Sequence, residues 1–224
     1  MSIETNLSKI QADLTEVAKL SPLATKAPTL IAVSKTHPAE AIRPALQAGH
    51  HHFGENKVQE ASKKWPDLRT EYPETTLHLI GPLQSNKSEE AVALFDVIHT
   101  LDREKLAKTL QKAEEKLNLK RQYFVQVNTG EESQKAGIAP DQAESFIDFC
   151  REETALDVVG LMCLPPLQDL PGPHFAYLRT LADKMNLSQL SMGMSADYEE
   201  AIRFGATHIR VGTAIFGQRP PQAV

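Results

Sequence analysis

The sequence predicts a single (β/α)8 barrel of the TIM type with an extra N-terminal helix, one domain spanning residues 1–224. Three observations predict it. Eight short apolar, β-rich runs recur along the chain. Segments with helical periodicity and helix punctuation separate them. No linker or shift of composition divides the chain in two. Strands alternating with helices build a parallel sheet, and eight is the count at which such a sheet closes into a barrel. An open doubly wound sheet is the competing architecture, since strand count alone does not prove closure.

The elements follow in order. Ile3, Leu7, Ile10, Leu14 and Val17 recur at spacings of three and four, the stripe of an amphipathic helix. The strand runs are TLIAVSK from 29, HHFGEN from 51, TLHLIG from 76, DVIHTL from 96, QYFVQVN from 122, LDVVGLM from 156, LSQLSMG from 187 and THIRVG from 207. Between them, Pro38 stands where a first helical residue would, Ala41, Ile42, Ala45 and Leu46 make a face, and Gly49 ends it. Pro140 repeats the device before Ala143, Phe146, Ile147 and Cys150. Ser195 is placed to cap a helix whose face is Tyr198, Ala201 and Ile202, with Gly205 just past its end.

Composition narrows the class of function. With 29 acidic against 24 basic side chains, and the basic ones scattered, the chain has no footprint for nucleic acid or an anionic membrane. No apolar run approaches the ~20 residues that span a bilayer, and MSIETNLSKIQADL is too polar for a signal peptide. Cys150 and Cys163 have no metal-binding spacing and suggest two buried thiols in a reducing compartment. The expected setting is the cytoplasm.

In a barrel, function gathers where strands end, on the C-terminal face. Those ends read Lys35, Asn56, the stretch GPLQSNK, His99, Asn128, Cys163, SMGMS and RVGT. Lys35 closes a run that reads as a strand covered on both faces. A strand end reaching water accounts for it, and so does an amine held on a rigid element for chemistry. Period-two alternation puts Ile31, Val33 and Lys35 on one face, with His50, His52, Gly54 and Asn56, and His208, Arg210 and Gly212, likewise grouped. A consistent assignment turns Lys35, Asn56 and Arg210 inward, toward the mouth.

The loops after strands seven and eight of such barrels often hold a phosphate. Here GMS leads into the Ser195 helix, and RVGT offers Gly212 and Thr213. Tight turns and a simple cap explain the same residues. An amine on strand one opposite a phosphate cradle on strands seven and eight suits a ligand with an aldehyde at one end and a phosphate at the other. Pyridoxal 5′-phosphate is such a ligand, and lysine binds it as a Schiff base. Arg210, on the face of Gly212, could reach the pyridine nitrogen. As a donor-only group it would weaken the electron-sink character that a carboxylate partner sustains.

Two other features compete. GPLQSNKS departs from the P-loop pattern only at Asn86, but Pro82 removes a backbone donor. The run His50, His51, His52 invites a metal, yet successive strand side chains point to opposite faces, so only two could converge.

Six ordered stretches, IAVSKTHPAEAI, FGENKVQE, HLIGPLQSNK, VNTGEESQKAGI, GLMCLPP and LSMGMSADYEEAI followed by GATHIRVGTAIFG, resemble the pyridoxal-phosphate homeostasis protein family. The resemblance runs from about residue 29 to 217. It implies a barrel like the N-terminal domain of alanine racemase, with Lys35 as the Schiff-base lysine. Ser195, Gly212 and Thr213 match the phosphate-binding positions, and Arg210 matches the pyridine-facing arginine.

Two functions fit. One is a monomeric protein that binds pyridoxal 5′-phosphate for homeostasis, buffering it or handing it to apoenzymes, and is not an enzyme. The other is an alanine-racemase-type enzyme acting on an amino acid. Racemisation in that fold needs a second acid–base tyrosine from an additional domain. The chain stops at Val224, and its tyrosines, Tyr72, Tyr123, Tyr177 and Tyr198, fall in a loop, early in a strand and on helices. The binding role is the expectation.

Overall fold

A computed structural model describes residues 2–132 and 134–218. Eight parallel strands close into a barrel in sequence order. They are β1 (Thr29–Val33), β2 (His52–Glu55), β3 (Thr76–Leu79), β4 (Val97–Leu101), β5 (Gln122–Val127), β6 (Asp157–Cys163), β7 (Gln189–Met194) and β8 (His208–Val211). Each falls on a run that the sequence marks as a strand, with β6 and β7 extending one residue past theirs, to Cys163 and Met194. Closure is made by β1 against β8, with Ile31 opposite Arg210 and Ala32 opposite Val211. The open-sheet alternative is therefore excluded.

The helices form the outer layer. The extra helix α1 (Ile3–Leu20) starts at Ser2, whose hydroxyl accepts from the Thr5 amide at 3.2 Å. It buries Leu7, Ile10, Leu14 and Ala18, each leucine or isoleucine contributing roughly 1.5–3 kcal/mol if fully withdrawn from water. The other long or site-related helices are α2 (Ala39–Gln47), α3 (Val58–Glu71), α4 (Ser88–Leu94), α5 (Glu104–Leu117), α6 (Ala143–Glu152), α7 (Pro171–Lys184), α8 (Tyr198–Arg203) and α9 (Thr213–Phe216). Pro38 stands one residue before α2, and Pro140 opens a short 3₁₀ turn that runs into α6. The main apolar core lies between strands and helices, where Phe53, Leu77, Tyr123, Leu161 and Ile209 meet Ile42, Trp65, Leu106, Ile147 and Phe175.

The barrel interior is different. Apolar packing there is a small separate cluster of Val97, Phe124 and Met162. The rest of the axis carries Ile31, Ser191 and Arg210 together with histidines from β2, β3, β4 and β8. TIM-type interiors are ordinarily filled by branched aliphatic side chains, so this polar column sets the chain apart within its architecture.

Two expectations are corrected. The helix after β7 begins at Tyr198, with Asp197 at the cap position, and not at Ser195. Asp197 Oδ1 accepts from the Met194 amide at 2.6 Å, which folds residues 195–196 into a turn outside the helix. His99, read as a strand end, is instead fully buried in the middle of β4.

Candidate functional site

Lys35 lies two residues past the end of β1 and is half-buried. The turn that carries it is held from behind. Glu55, fully buried at the end of β2, accepts on Oε1 from the Ser34 hydroxyl at 2.6 Å and from Trp65 Nε1 at 3.0 Å. Lys64 of α3 pairs with the same carboxylate at 2.8 Å and donates to the carbonyls of Ser34 and His37, both at 3.0 Å. Glu60 accepts from Lys64 at 2.9 Å and from the Thr36 amide at 2.5 Å. Thr36 takes a left-handed conformation, φ 67°, which the amide bond to Glu60 helps to hold. Burial raises the Glu55 carboxyl above its usual range, and Lys64 pulls it back down.

The neighbouring strand ends complete the mouth. Gly212 and Thr213 follow β8, whose partner is β1, and Ser195 follows β7, whose partner is β8. Ser195 and Thr213 are exposed, and Gly212 is half-buried. Gly193 in β7 has φ 94°, and a Cβ there would come within 2.6 Å of the Ala201 methyl. Glycine is required there for α8 to pack close. Asn56, half-buried, ends the β2 run next to Lys35, since Val33 stands opposite Gly54. It lines a groove with Pro82, Leu83 and Arg103 between the loops after β2 and β3. A Cβ on Gly81 would lie 2.2 Å from the Asn56 carbonyl oxygen, so these two loops touch through a residue that must be glycine.

Arg210 floors the mouth. It is 4% exposed, donates through Nη1 to Ser191 Oγ at 2.5 Å and through Nη2 to the Cys163 carbonyl at 3.0 Å. Burial works against its charge. Below it the contacts continue. Ser191 Oγ meets His99 Nδ1 at 2.9 Å, His99 Nε2 meets His78 Nδ1 at 3.0 Å, and His78 Nε2 meets His52 Nδ1 at 3.1 Å. β4 and β7 are not neighbours, so the His99–Ser191 bond crosses the interior. Burial depresses all three histidines, His78 and His99 far below the usual range.

Lys35, Ser195, Arg210, Gly212 and Thr213 thus share three adjacent strand ends, β7, β8 and β1. Sequence reasoning missed the Glu55–Lys64–Glu60 support and the histidine column. The second had a signal: His52, His78, His99 and His208 occupy inward positions in four of the eight strand runs. Other candidates have ordinary partners. Lys87 of GPLQSNKS pairs with Glu90 at 2.7 Å, and Ser88 bonds Ser85 O and Thr109. Burial pushes the Cys150 and Cys163 thiols up to about 12, so neither is poised as a nucleophile.

The closed barrel carries an amine, a guanidinium and two hydroxyls on adjacent strand ends, and the model of the alanine racemase N-terminal domain family matches residues 5–220, which places the chain in that class. Within that class, the chain belongs to the pyridoxal phosphate homeostasis protein family. It is 39% identical to the pyridoxal phosphate homeostasis protein of Vibrio cholerae over 228 residues, 97% of each chain. It is 36% identical to that of Escherichia coli, with 96% of this chain and 95% of the relative covered. Among solved structures, PipY of Synechococcus elongatus without PLP superposes with a TM-score of 0.87 at 38% identity, covering 96% of this chain and all of that one. The same protein with PLP bound gives 0.83 at 37% identity, again over 96% of this chain and 100% of that one. Alanine racemase of Clostridium difficile, at 13% identity and a TM-score of 0.70, shares the fold over 96% of this chain and 58% of its own length.

Proposed function

We propose that this chain is a cytoplasmic carrier of pyridoxal 5′-phosphate, a single barrel that holds the cofactor on Lys35 and releases it to apoenzymes without turning over an amino acid. The observation that carries the reading is the donor set on the adjacent ends of β7, β8 and β1. Lys35 supplies an amine for an aldehyde. The Ser195 and Thr213 hydroxyls and the backbone at Gly212 suit a phosphate, and Arg210 suits the pyridine nitrogen. Next to the amine, the Thr36 hydroxyl is buried with no hydrogen-bond partner among the described residues, a capacity that a polar ligand would use. Asn56, on the next strand, belongs to the same wall.

Lys35 would hold the cofactor through its amine, and the cofactor would supply the aldehyde that a lysine amine can take up covalently. The chain's own residues argue against going further. Arg210 can only donate, so it cannot serve as the proton-sharing partner that a carboxylate would be. The tyrosines serve elsewhere: Tyr123 OH donates to Glu114 at 3.0 Å, Tyr177 OH donates to the Pro140 carbonyl at 3.2 Å, Tyr72 ends α3, and Tyr198 opens α8. A second acid–base on the far side of a substrate is what racemisation needs.

Borohydride reduction of the protein mixed with pyridoxal phosphate, followed by peptide mapping, should find the pyridoxyl group on Lys35. A label chiefly on Lys57 or Lys87 sinks the assignment. Incubating the loaded protein with L-amino acids in deuterated water separates carrier from enzyme. Negligible α-proton exchange is expected, and exchange at ~1 s⁻¹ or faster, lost in Lys35→Ala, overturns the carrier reading.

A further inference from the structure

We propose that Ser191, His99, His78 and His52 form a polarised hydrogen-bond relay that positions Arg210 from below and couples the mouth to the opposite end of the barrel axis. Its function at Arg210 rests on the cofactor reading above. The direction of the relay does not, because it follows from donor and acceptor chemistry alone.

A guanidinium has five donors and no acceptor, so Ser191 Oγ must accept at its 2.5 Å contact with Arg210. The serine hydroxyl has one proton to place, and His99 Nδ1 lies 2.9 Å away. If His99 donated to Ser191 instead, the hydroxyl proton would be left without an acceptor in the interior, at a cost that disfavours that arrangement. His99 therefore accepts on Nδ1. Its burial keeps it neutral, so its proton sits on Nε2 and is donated to His78 Nδ1 at 3.0 Å. The same step repeats: His78 carries its proton on Nε2 and donates to His52 Nδ1 at 3.1 Å. One fixed charge at the mouth sets three tautomers in series.

Packing keeps the rings in line. Phe124 stacks on His99 with centroids 4.3 Å apart and planes 12° from parallel, and His208 meets His78 and His99 at 6.2 and 6.0 Å. His208 stays outside the relay, with its Nδ1 2.9 Å from the Thr207 hydroxyl. His52 is half-buried and opens on a cavity lined by Gln11, Lys26, Pro28 and His50 at the N-terminal face of the barrel. The relay thus has one end under the ligand site and the other within reach of water. The bonds to Ser191 and the Cys163 carbonyl use two of the five N–H donors of the guanidinium. An acceptor arriving above Arg210 takes one of the others and competes with Ser191 for the polarisation of the shared, delocalised charge. That competition is felt as a weaker hydrogen bond at His99, then at His78, then at His52.

Nitrogen-15 NMR of labelled histidines in the full chain tests this. In the ligand-free protein all three rings should be protonated on Nε2, and adding pyridoxal phosphate should shift His99 Nδ1 most and His52 Nδ1 least. Ser191→Ala should release the His99 tautomer and weaken pyridoxal phosphate binding by about tenfold, and Ser191→Thr should restore both. His52→Ala, at the more accessible end, perturbs His78 before His99 and decides the matter if the Ser191 variants do not fold. An Nδ1-protonated ring among the three in the ligand-free protein overturns the relay. So do histidine signals that stay fixed while Lys35 is labelled by the cofactor, and that outcome leaves the cofactor reading standing. Absence of any label at Lys35 removes the cofactor reading and, with it, the relay's role at Arg210, whatever the tautomers of the free protein.

Discussion

Lys35 and Lys64 serve the same turn from opposite sides, and they have opposite fates. Lys64 is 9% exposed and lies against two carboxylates and two backbone carbonyls. Its charge is committed to holding residues 34–37. Lys35, in that turn, is half-buried. The difference is one of place: Lys64 reaches the turn from α3, whereas Lys35 stands within it. On the cofactor reading proposed above, one lysine is a rivet and the other a reagent. An amine that is to meet an aldehyde must be placed accurately, and under that reading the buried pair behind Lys35 would supply the placement.

The comparison can be broken most sharply by deleting each amine. Lys64→Met leaves Glu55 buried with its strongest partner gone, and should cost ~3–5 kcal/mol in denaturant unfolding. Lys35→Met, at a half-buried position that leaves the Glu55–Lys64 pair intact, should cost clearly less, ~1 kcal/mol. Equal losses would mean that both lysines are structural. Next in size is the phosphate side of the mouth. Ser195→Ala with Thr213→Ala should weaken pyridoxal phosphate far more than unphosphorylated pyridoxal, by ~1.5–3 kcal/mol per hydroxyl, about ten- to a hundredfold each. Equal losses for the two ligands would reduce both hydroxyls to braces of the backbone.

The smallest effect per step is pH dependence, and here the interior and the rivet oppose one another. Burial lowers the folded pKa of His50 to about 4 from 6.5, and lowers His52, His78, His99 and His208 as well. The unfolded chain then binds more protons, so their stabilising contribution is complete above ~6.5 and is lost as pH falls through that value toward the folded ones. Each proton taken up on unfolding adds a slope of ~1.36 kcal/mol per pH unit. Glu55 has the reverse sign. Its folded pKa lies above the ordinary 4.5, so its contribution is present at low pH and declines as pH rises through the folded value. With five histidines against one carboxyl, the denaturation midpoint should fall steadily from pH 6.5 to 4, and Glu55→Gln should steepen that fall. A midpoint flat over this range would mean that the histidines are charged in the folded protein.

The strands were legible because eight covered β-rich runs have little else to become, and their number favoured closure without proving it; the β1–β8 pairing decides it. The inward face of Arg210 was legible because period-two alternation fixes faces without knowledge of neighbours, whereas Lys35 stands in the turn past β1, where that alternation no longer applies. Ser195 was misread because Ser195 and Asp197 are both good caps, and the choice is made by the Met194 amide bond, a turn geometry that residue type does not encode. Glu55 reads locally as a polar strand end. Only the packing of α3 on β2 brings Trp65 and Lys64 to it. The histidines were visible one at a time, but which rings touch depends on the stagger between strands, and a one-residue slip would separate them.

The β1–β8 seam has a consequence for how the molecule comes into being. Asn6 donates to the Ile215 carbonyl at 3.0 Å, 209 residues away in sequence, and Ser21 donates to the Ile202 carbonyl, 181 residues away. Contacts of that separation form late, since a large loop must close before they repay its entropy. The mouth straddles this seam, with Lys35 on one side and Arg210, Gly212 and Thr213 on the other. A half-made chain emerging from the ribosome therefore carries the amine without its floor or its rim. On the cofactor reading proposed above, a ligand spanning the two sides would act as a clasp across the joint that was sewn last.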